Sequence, residues 1–178
     1  MINLYKYTDK EKEEILKSMT VLVDSREKEG KNRHILDWFD KKNIPYKKKA
    51  LNYGDYSVIL PANEELGILK PLDFSGEIML ERKTNLEELS NNMTRDRSRI
   101  EKELALAPKH KILLIENASY EDIVEGNYNT EYNRKSFLGT LHSWYYKYDI
   151  QFFFMKNKEH SGLFIYMYFQ YYIKNLLR

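Results

Sequence analysis

The sequence predicts an α/β fold, a single domain with a central mixed sheet flanked by helices on both faces. Three observations predict it. The chain has 178 residues, 42% of them hydrophobic, enough to bury a core in one domain. Through its second half, short apolar runs alternate with amphipathic stretches, the pattern of strand–helix units. One such run, HKILLIE (His110–Glu116), is apolar on both alternating faces, as expected of a strand covered on each side.

The elements can be justified in order. Thr8 and Glu11 have capping-box spacing and start a helix over Asp9–Ser18. Thr20–Val23 reads as a buried strand ending in charge at Asp24. Asn32–Lys42 places Ile35, Leu36, Trp38 and Phe39 on an apolar face, and Ile44-Pro45 stops that helix. Lys47–Leu51 suits an edge strand, because lysines tolerate exposure. Gly54-Asp55 opens a strand over Tyr56–Leu60. PANEELGILKPLDFSG, punctuated by Gly67, Pro71 and Gly76, is a loop or hairpin. GEIMLERK is the next strand, expected to pair with its predecessor. A helix starts near Asn85 and bends or breaks around Asn91 and Asn92, and a second spans Thr94–Leu106, closed by Pro108. After HKILLIE come a helix in TEYNRKSFLGTLHSWYYKY, a strand in YDIQFFFM and a final helix in GLFIYMYFQYYIKNLL. Residues 1–18 form a helical extension and 19–178 the main domain.

Composition excludes several chemistries. There are no cysteines, hence no disulfides, thiol nucleophiles or Cys-based zinc sites. The four histidines lie far apart, without metal-ligand spacing. Lys plus Arg total 29 and Asp plus Glu 27, a formal charge of only +2, too small to imply nucleic-acid binding by itself. The local density at Tyr46–Lys49 leaves room for a basic patch. The N-terminus is polar and no apolar run reaches membrane-spanning length. The expectation is a soluble intracellular protein with no membrane partner.

The chemistry-bearing stretch is ERKTNLEEL, Glu81–Leu89. Side chains alternate along a strand, so Glu81 and Lys83 share one face and Arg82 points to the other. A carboxylate and an amine two residues apart suit hydrolysis: the carboxylate ligates a hard cation, and the amine positions water or offsets phosphoryl charge. A solvated strand end with a Glu–Lys pair is the competing reading. Asp24, with Glu27 just beyond, and Asp55 stand at other strand ends, where ligands gather in open α/β sheets. If Asp24, Asp55 and Glu81 converge, three carboxylates need a cation to coexist. Oxygen-only ligation points to Mg²⁺ or Mn²⁺, one or two ions. Asp24 is equally readable as a cap and Asp55 as a turn residue.

These segments, in order, resemble the nuclease domain of the XPF family of structure-specific endonucleases, a branch of the PD-(D/E)xK superfamily. The matching stretches are VLVDSRE (Val21–Glu27), NYGDYSVIL (Asn52–Leu60) and ERKTNLEEL. NNMTRDRSRIEKEL, with Arg97, and KILLIE (Lys111–Glu116) match more weakly. The resemblance spans about residues 19–172 and implies a restriction-endonuclease-like sheet. It implies a metal-dependent DNA endonuclease acting at branched or junction DNA, with Asp55 and Glu81 as main ligands. Lys83 becomes the catalytic lysine, and Asp24 and Glu27 support the metal. Arg26 and Arg82 contact phosphate or hold acidic neighbours by bidentate pairs. Facing away from Glu81, Arg82 can equally hold a helix carboxylate. Glu87 stands where the family pattern usually has Asp, in the first turn of a helix whose dipole also favours an acid.

Arg95, Arg97, Arg99 and Lys102 are the DNA-contact candidates, with Arg95, Arg99 and Lys102 on one helical face. Asp96, Glu101 and Glu103 allow a salt-bridged surface there instead. No helix-turn-helix or zinc finger is seen for base readout, and the resemblance implies specificity for shape. With Arg178 as the last residue, the helix-hairpin-helix module common in the family is not expected, nor the tight structure-selective binding and dimer architecture that go with it. A catalytically inactive DNA-binding or scaffold partner of a nuclease is the alternative function. The aromatic-rich last helix (Phe164, Tyr166, Tyr168, Phe169, Tyr171, Tyr172) suggests a homodimer contact or ordinary core packing. The expected location is cytoplasmic or nucleoid-associated, and the small form suits a phage-encoded protein acting in a host cell.

Overall fold

The computed structural model describes residues 6–28 and 30–177. The first five residues of the expected extension, and Arg178 of the expected main domain, lie outside the described residues, as does Glu29. In chain order the elements are α1 (Asp9–Ser18), β1 (Thr20–Asp24), α2 (Arg33–Lys41), β2 (Tyr46–Lys49), β3 (Tyr56–Leu60), β4 (Leu72–Asp73), β5 (Ile78–Lys83), α3 (Leu86–Met93), α4 (Arg97–Leu106), β6 (His110–Glu116), α5 (Tyr120–Glu125), α6 (Arg134–Tyr148), β7 (Gln151–Met155) and α7 (Ser161–Leu176). The fold is mixed α/β, with a mixed sheet flanked by helices, of the restriction-endonuclease-like type the sequence predicts. No helix among the described residues is long and apolar enough to cross a membrane.

Contacts divide the chain into two compact units. The first takes the chain up to Gly76 together with Gly162 onward. Its α1 begins with the expected capping box: Thr8 Oγ1 accepts from the Glu11 N–H at 3.3 Å, and the Glu11 carboxylate accepts from the Thr8 N–H at 2.7 Å. β1 is buried from Val21 onward, and α2 returns the chain so that β2 lies parallel to it, Val21 opposite Tyr46. β3 runs antiparallel along the other side of β1, and β4 antiparallel to β3. β2 therefore leaves one side open, and its three lysines are exposed, as expected of an edge.

α7 buries Ile165, Phe169 and Ile173 at every fourth position. A Cβ on Gly162 would lie 2.9 Å from the Trp38 Cβ, so glycine permits the close approach there. Much of the aromatic excess packs within this unit. Tyr166 lies 6.3 Å from Trp38 and Tyr172 5.8 Å from Phe74, centroid to centroid. The side chains left exposed on α7 include Leu163, Met167 and Tyr171.

The second unit spans Glu77–Ser161. β5, β6 and β7 are parallel neighbours, Glu81 opposite Leu113 and Leu113 opposite Phe152. Helices make the crossovers between them. Their core gathers Phe137 and Trp144, both fully buried, with Leu89, Leu113 and Ile115. Glu101 on α4 ties this core to α6. Its carboxylate accepts from Trp144 Nε1 at 3.0 Å, Arg97 Nε at 2.9 Å and Lys147 Nζ at 3.4 Å. The Trp144 bond leads in lowering its pKa to about 2; burial opposes, and Arg97, Tyr148 and Lys147 add to the lowering.

A depressed carboxylate stabilises the fold above its unfolded value, about 4.3, and loses that contribution as pH falls through about 2. A Glu101→Gln variant is therefore expected to be less stable than the parent by about 1 kcal/mol at pH 6. The two should converge as pH approaches 2, and urea unfolding across that range measures it. A constant difference at all pH values would contradict this assignment.

Several boundaries differ from the sequence expectation. The strand expected over Lys47–Leu51 is Tyr46–Lys49. The helix expected from Thr94 begins at Arg97, because the chain turns through Thr94–Asp96 after Met93. The helix expected from Thr130 begins at Arg134, where the Asn133 side chain caps the Lys135 and Ser136 N–H groups. α5 was not foreseen. Its signal is Ser119 with Asp122 three residues on, which form a capping box: the Asp122 carboxylate accepts from the Ser119 N–H at 2.7 Å.

Candidate active site

In the second unit β5 delivers Glu81, Arg82 and Lys83 in alternation, as expected. Lys83 Nζ lies 2.6 Å from Glu81 Oε1, the two side chains being 8% and 26% exposed. A buried ammonium is therefore held by a carboxylate that still reaches solvent. Arg82 turns to the opposite face and pairs with Glu116 at 2.8 Å, the side chains 2% and 1% exposed. Register explains that partner. Arg82 stands opposite Leu114 on β6, and Glu116, two residues on, shares the face of Leu114. The carboxylate expected on a helix is thus on the neighbouring strand, at the end of KILLIE.

Beyond β5 the chain enters α3 through a tight polar turn. Asn85 caps the helix by accepting from the Glu88 N–H at 2.9 Å. The Glu88 carboxylate reaches back to the Thr84 N–H at 2.9 Å and its hydroxyl at 2.7 Å. Glu87 follows in the first turn, where the helix dipole favours an acid. Its carboxylate accepts from the Asn129 N–H at 2.8 Å. Glu87 therefore anchors the loop before α6.

In the first unit Asp24 closes β1. Its N–H donates to the Asp55 carbonyl at 2.8 Å, which fixes the Asp55 backbone beside it. Gly54 takes φ +70°, a left-handed conformation that glycine adopts without strain, and this turns the chain into β3 just after Asp55. Asp55 is half-buried. The Asp24 carboxylate is 8% exposed and paired with Arg26 Nη2 at 2.8 Å. It also accepts from Arg26 Nε at 3.0 Å and from the Leu51 N–H at 3.4 Å. Arg26 donates in turn to the Leu51 carbonyl, so it is committed to the turn after β1 and its partners. Glu27 is half-buried in that turn, its N–H bonded to the Asp24 carbonyl at 3.2 Å.

The convergence of three carboxylates on one ion is not seen: among the described residues no three His, Asp or Glu side chains form a group that could hold a metal. Asp24 has its carboxylate occupied by Arg26 and the Leu51 N–H. The Glu81 carboxylate, with one oxygen on Lys83, retains solvent access. A solvent-reaching carboxylate is the donor type that hard divalent cations take.

The DNA-contact candidates are all exposed. Arg95 lies in the turn before α4, off the helix, so the expected helical face with Arg99 and Lys102 is not formed. Arg97 pairs with Glu101 at 2.9 Å and Arg99 with Glu103 at 2.9 Å and Asp96 at 3.7 Å. These are surface pairs of small net energy that a phosphate can displace. The sequence did not single out Glu116, and it named Glu101 only for a salt-bridged surface, because the Arg82 and Trp144 partners lie far along the chain.

Comparison with known proteins agrees with this architecture. XPF from Aeropyrum pernix matches with a TM-score of 0.59 and 14% identity, over 86% of this chain and 61% of that one. XPF from Aeropyrum pernix in complex with DNA matches with a TM-score of 0.62 and 17% identity, over 88% of this chain and 66% of that one. The chain thus spans about two thirds or less of the length of these two structures. No curated protein sequence matches. The ERCC4 domain family model matches residues 23–168, most of the chain. The chain belongs to the ERCC4 domain family and carries the fold of the XPF nuclease domain.

Proposed function

We propose that this chain is a metal-dependent DNA endonuclease that hydrolyses phosphodiester bonds at branched or junction DNA. The observation that carries the reading is the Glu81–Lys83 pair: an ammonium almost removed from water, 2.6 Å from a solvent-reaching carboxylate on one strand face, in an ERCC4-family chain. The XPF structure with bound DNA supports the substrate class. The proposed metal ligand of the second unit is Glu81, whose carboxylate reaches solvent. A divalent ion held there would supply Lewis-acid polarisation of the scissile phosphate. Lys83 orients the attacking water and offsets charge developing on the phosphoryl group, a role that a buried, fixed ammonium performs better than a solvated one. Glu81 holds the Lys83 ammonium in place. Arg95, Arg97, Arg99 and Lys102 position the DNA through phosphates, with no base readout.

Finer proposals are a homodimer through α7, supported by its exposed Leu163, Met167 and Tyr171, and action in the cytoplasm or on the nucleoid. The experiment is cleavage of flap, fork, Holliday-junction, nicked and linear DNAs with Mg²⁺, Mn²⁺ or EDTA, beside Glu81→Ala. Divalent-dependent cleavage favouring one branched substrate, abolished by Glu81→Ala, is the expected result. DNA binding without cleavage would replace the reading by an inactive scaffold. Light scattering on the same preparation should give twice the chain mass; a monomer at micromolar concentration would remove the dimer.

A further inference from the structure

A cavity of about 290 Å³ opens in the first unit, lined by residues from the end of β1 through the start of α2 to β2. We propose that it receives the base of an unpaired nucleotide of the DNA substrate, a base carrying an exocyclic amino group, with the adjoining phosphate held at the rim. The proposal rests on the DNA-cleaving reading for the source of its ligand.

Asn32 is the first observation. It lines the cavity at 6% exposure. It stands at the N-cap position of α2, and its side chain makes no capping hydrogen bond. An amide offers two donors and two acceptor positions, which a ligand in the cavity can engage.

The charges are the second observation. Asp37, Asp40, Arg33 and Lys48 line the cavity, as do Glu27 and Asp24, the latter with its carboxylate held by Arg26. A bare cation leaves Arg33 and Lys48 unused, and a bare phosphate is repelled by Asp37 and Asp40. A nucleotide presents both signs, with amino donors on its base and an anionic phosphate beside them. Val23, Leu36 and the Tyr46 ring supply apolar contact for the base plane. Burial raises the Tyr46 pKa, and the charge of Asp40, its hydrogen bond with Tyr46 and the charge of Asp37 raise it further. α2 has no acid in its first turn, which leaves its N-terminus open to phosphate. Arg33 and Asp37 pair loosely at 3.7 Å, with both side chains mostly exposed, so a ligand can redirect them. A base already unpaired enters such a pocket with little unstacking cost.

The test compares deoxycytidine and deoxyuridine monophosphates, which differ by an amino donor in place of a carbonyl acceptor. Calorimetric and NMR titration of the full chain should show dCMP binding tighter than dUMP by about 5- to 100-fold, the discrimination of a carboxylate-to-amino contact. Asp37→Asn combined with Asp40→Asn, both exposed, should remove that preference. Asn32→Leu should weaken binding of both nucleotides. Equal affinities, a preference that survives Asp37→Asn with Asp40→Asn, or no binding of either at millimolar concentration overturns the proposal. If Asn32→Leu fails to fold, the aspartate pair alone decides. Lost dCMP binding with DNA cleavage intact defeats the pocket only. Retained dCMP preference without cleavage of any DNA defeats the nuclease reading only.

Discussion

Replacing Lys83 by methionine is expected to lower divalent-dependent DNA cleavage by about 10²- to 10³-fold while leaving the chain folded. Lys83 is 8% exposed at its side chain and sits 2.6 Å from Glu81. Methionine fills nearly the same path with an unbranched apolar chain, so packing is kept and only the charge goes. The partner, Glu81, is 26% exposed and can hydrate, so no orphaned buried charge remains. Stability should therefore change by no more than about 1 kcal/mol in either direction. Single-turnover cleavage on the best substrate, beside a thermal melt, separates the two effects. Lys83→Arg should recover little, because a planar guanidinium does not take the place of a compact ammonium. A Lys83→Met enzyme that cleaves at the parent rate would leave the pair as a solvated strand end without chemistry.

Replacing Arg82 by methionine is expected to have the opposite profile: a large loss of stability, about 3–5 kcal/mol, because Glu116 is left charged and buried. Both side chains of the pair are almost wholly inaccessible, at 2% and 1% exposure. For a chain of this size, that corresponds to a melting point lower by roughly 10 °C or more. The double replacement, Arg82→Met with Glu116→Met, should recover most of the loss, since two apolar side chains of similar length avoid desolvating any charge. Denaturant unfolding of the two single variants and the double variant completes the cycle. If Arg82→Met costs less than about 1 kcal/mol, the pair does not hold β5 against β6.

These two neighbours illustrate how legible the chain was. That Glu81 and Lys83 share a face and Arg82 does not follows from strand alternation, which covalent geometry dictates. The capping box at Thr8 and Glu11, the edge character of the lysine-rich strand and the order of elements from β1 to α4, apart from the two-residue β4, are equally local. α5 was missed, although Ser119 and Asp122 mark its start, because its short span lacks the periodicity of longer helices. Arg95 fell off the predicted helix because Thr94–Asp96 turns the chain, and a run of charges has no phase to show where a helix starts.

By itself the sequence determined the α/β order, the two faces of the Glu-Arg-Lys strand and the family motifs from Val21 to Leu89. Tertiary structure alone decided which carboxylate Arg82 finds and that Leu51 closes on Asp24 and Arg26. It also decided that Asn32 lies buried at a cavity shared with Asp37, Asp40 and Lys48. The physical reason is range. Side-chain direction within a strand or helix is set by neighbouring residues. The partner a side chain meets depends on the register between segments 25 to 35 residues apart, such as Leu51 with Asp24 and Glu116 with Arg82. That register is chosen by the packing of the whole fold, and no local pattern encodes it.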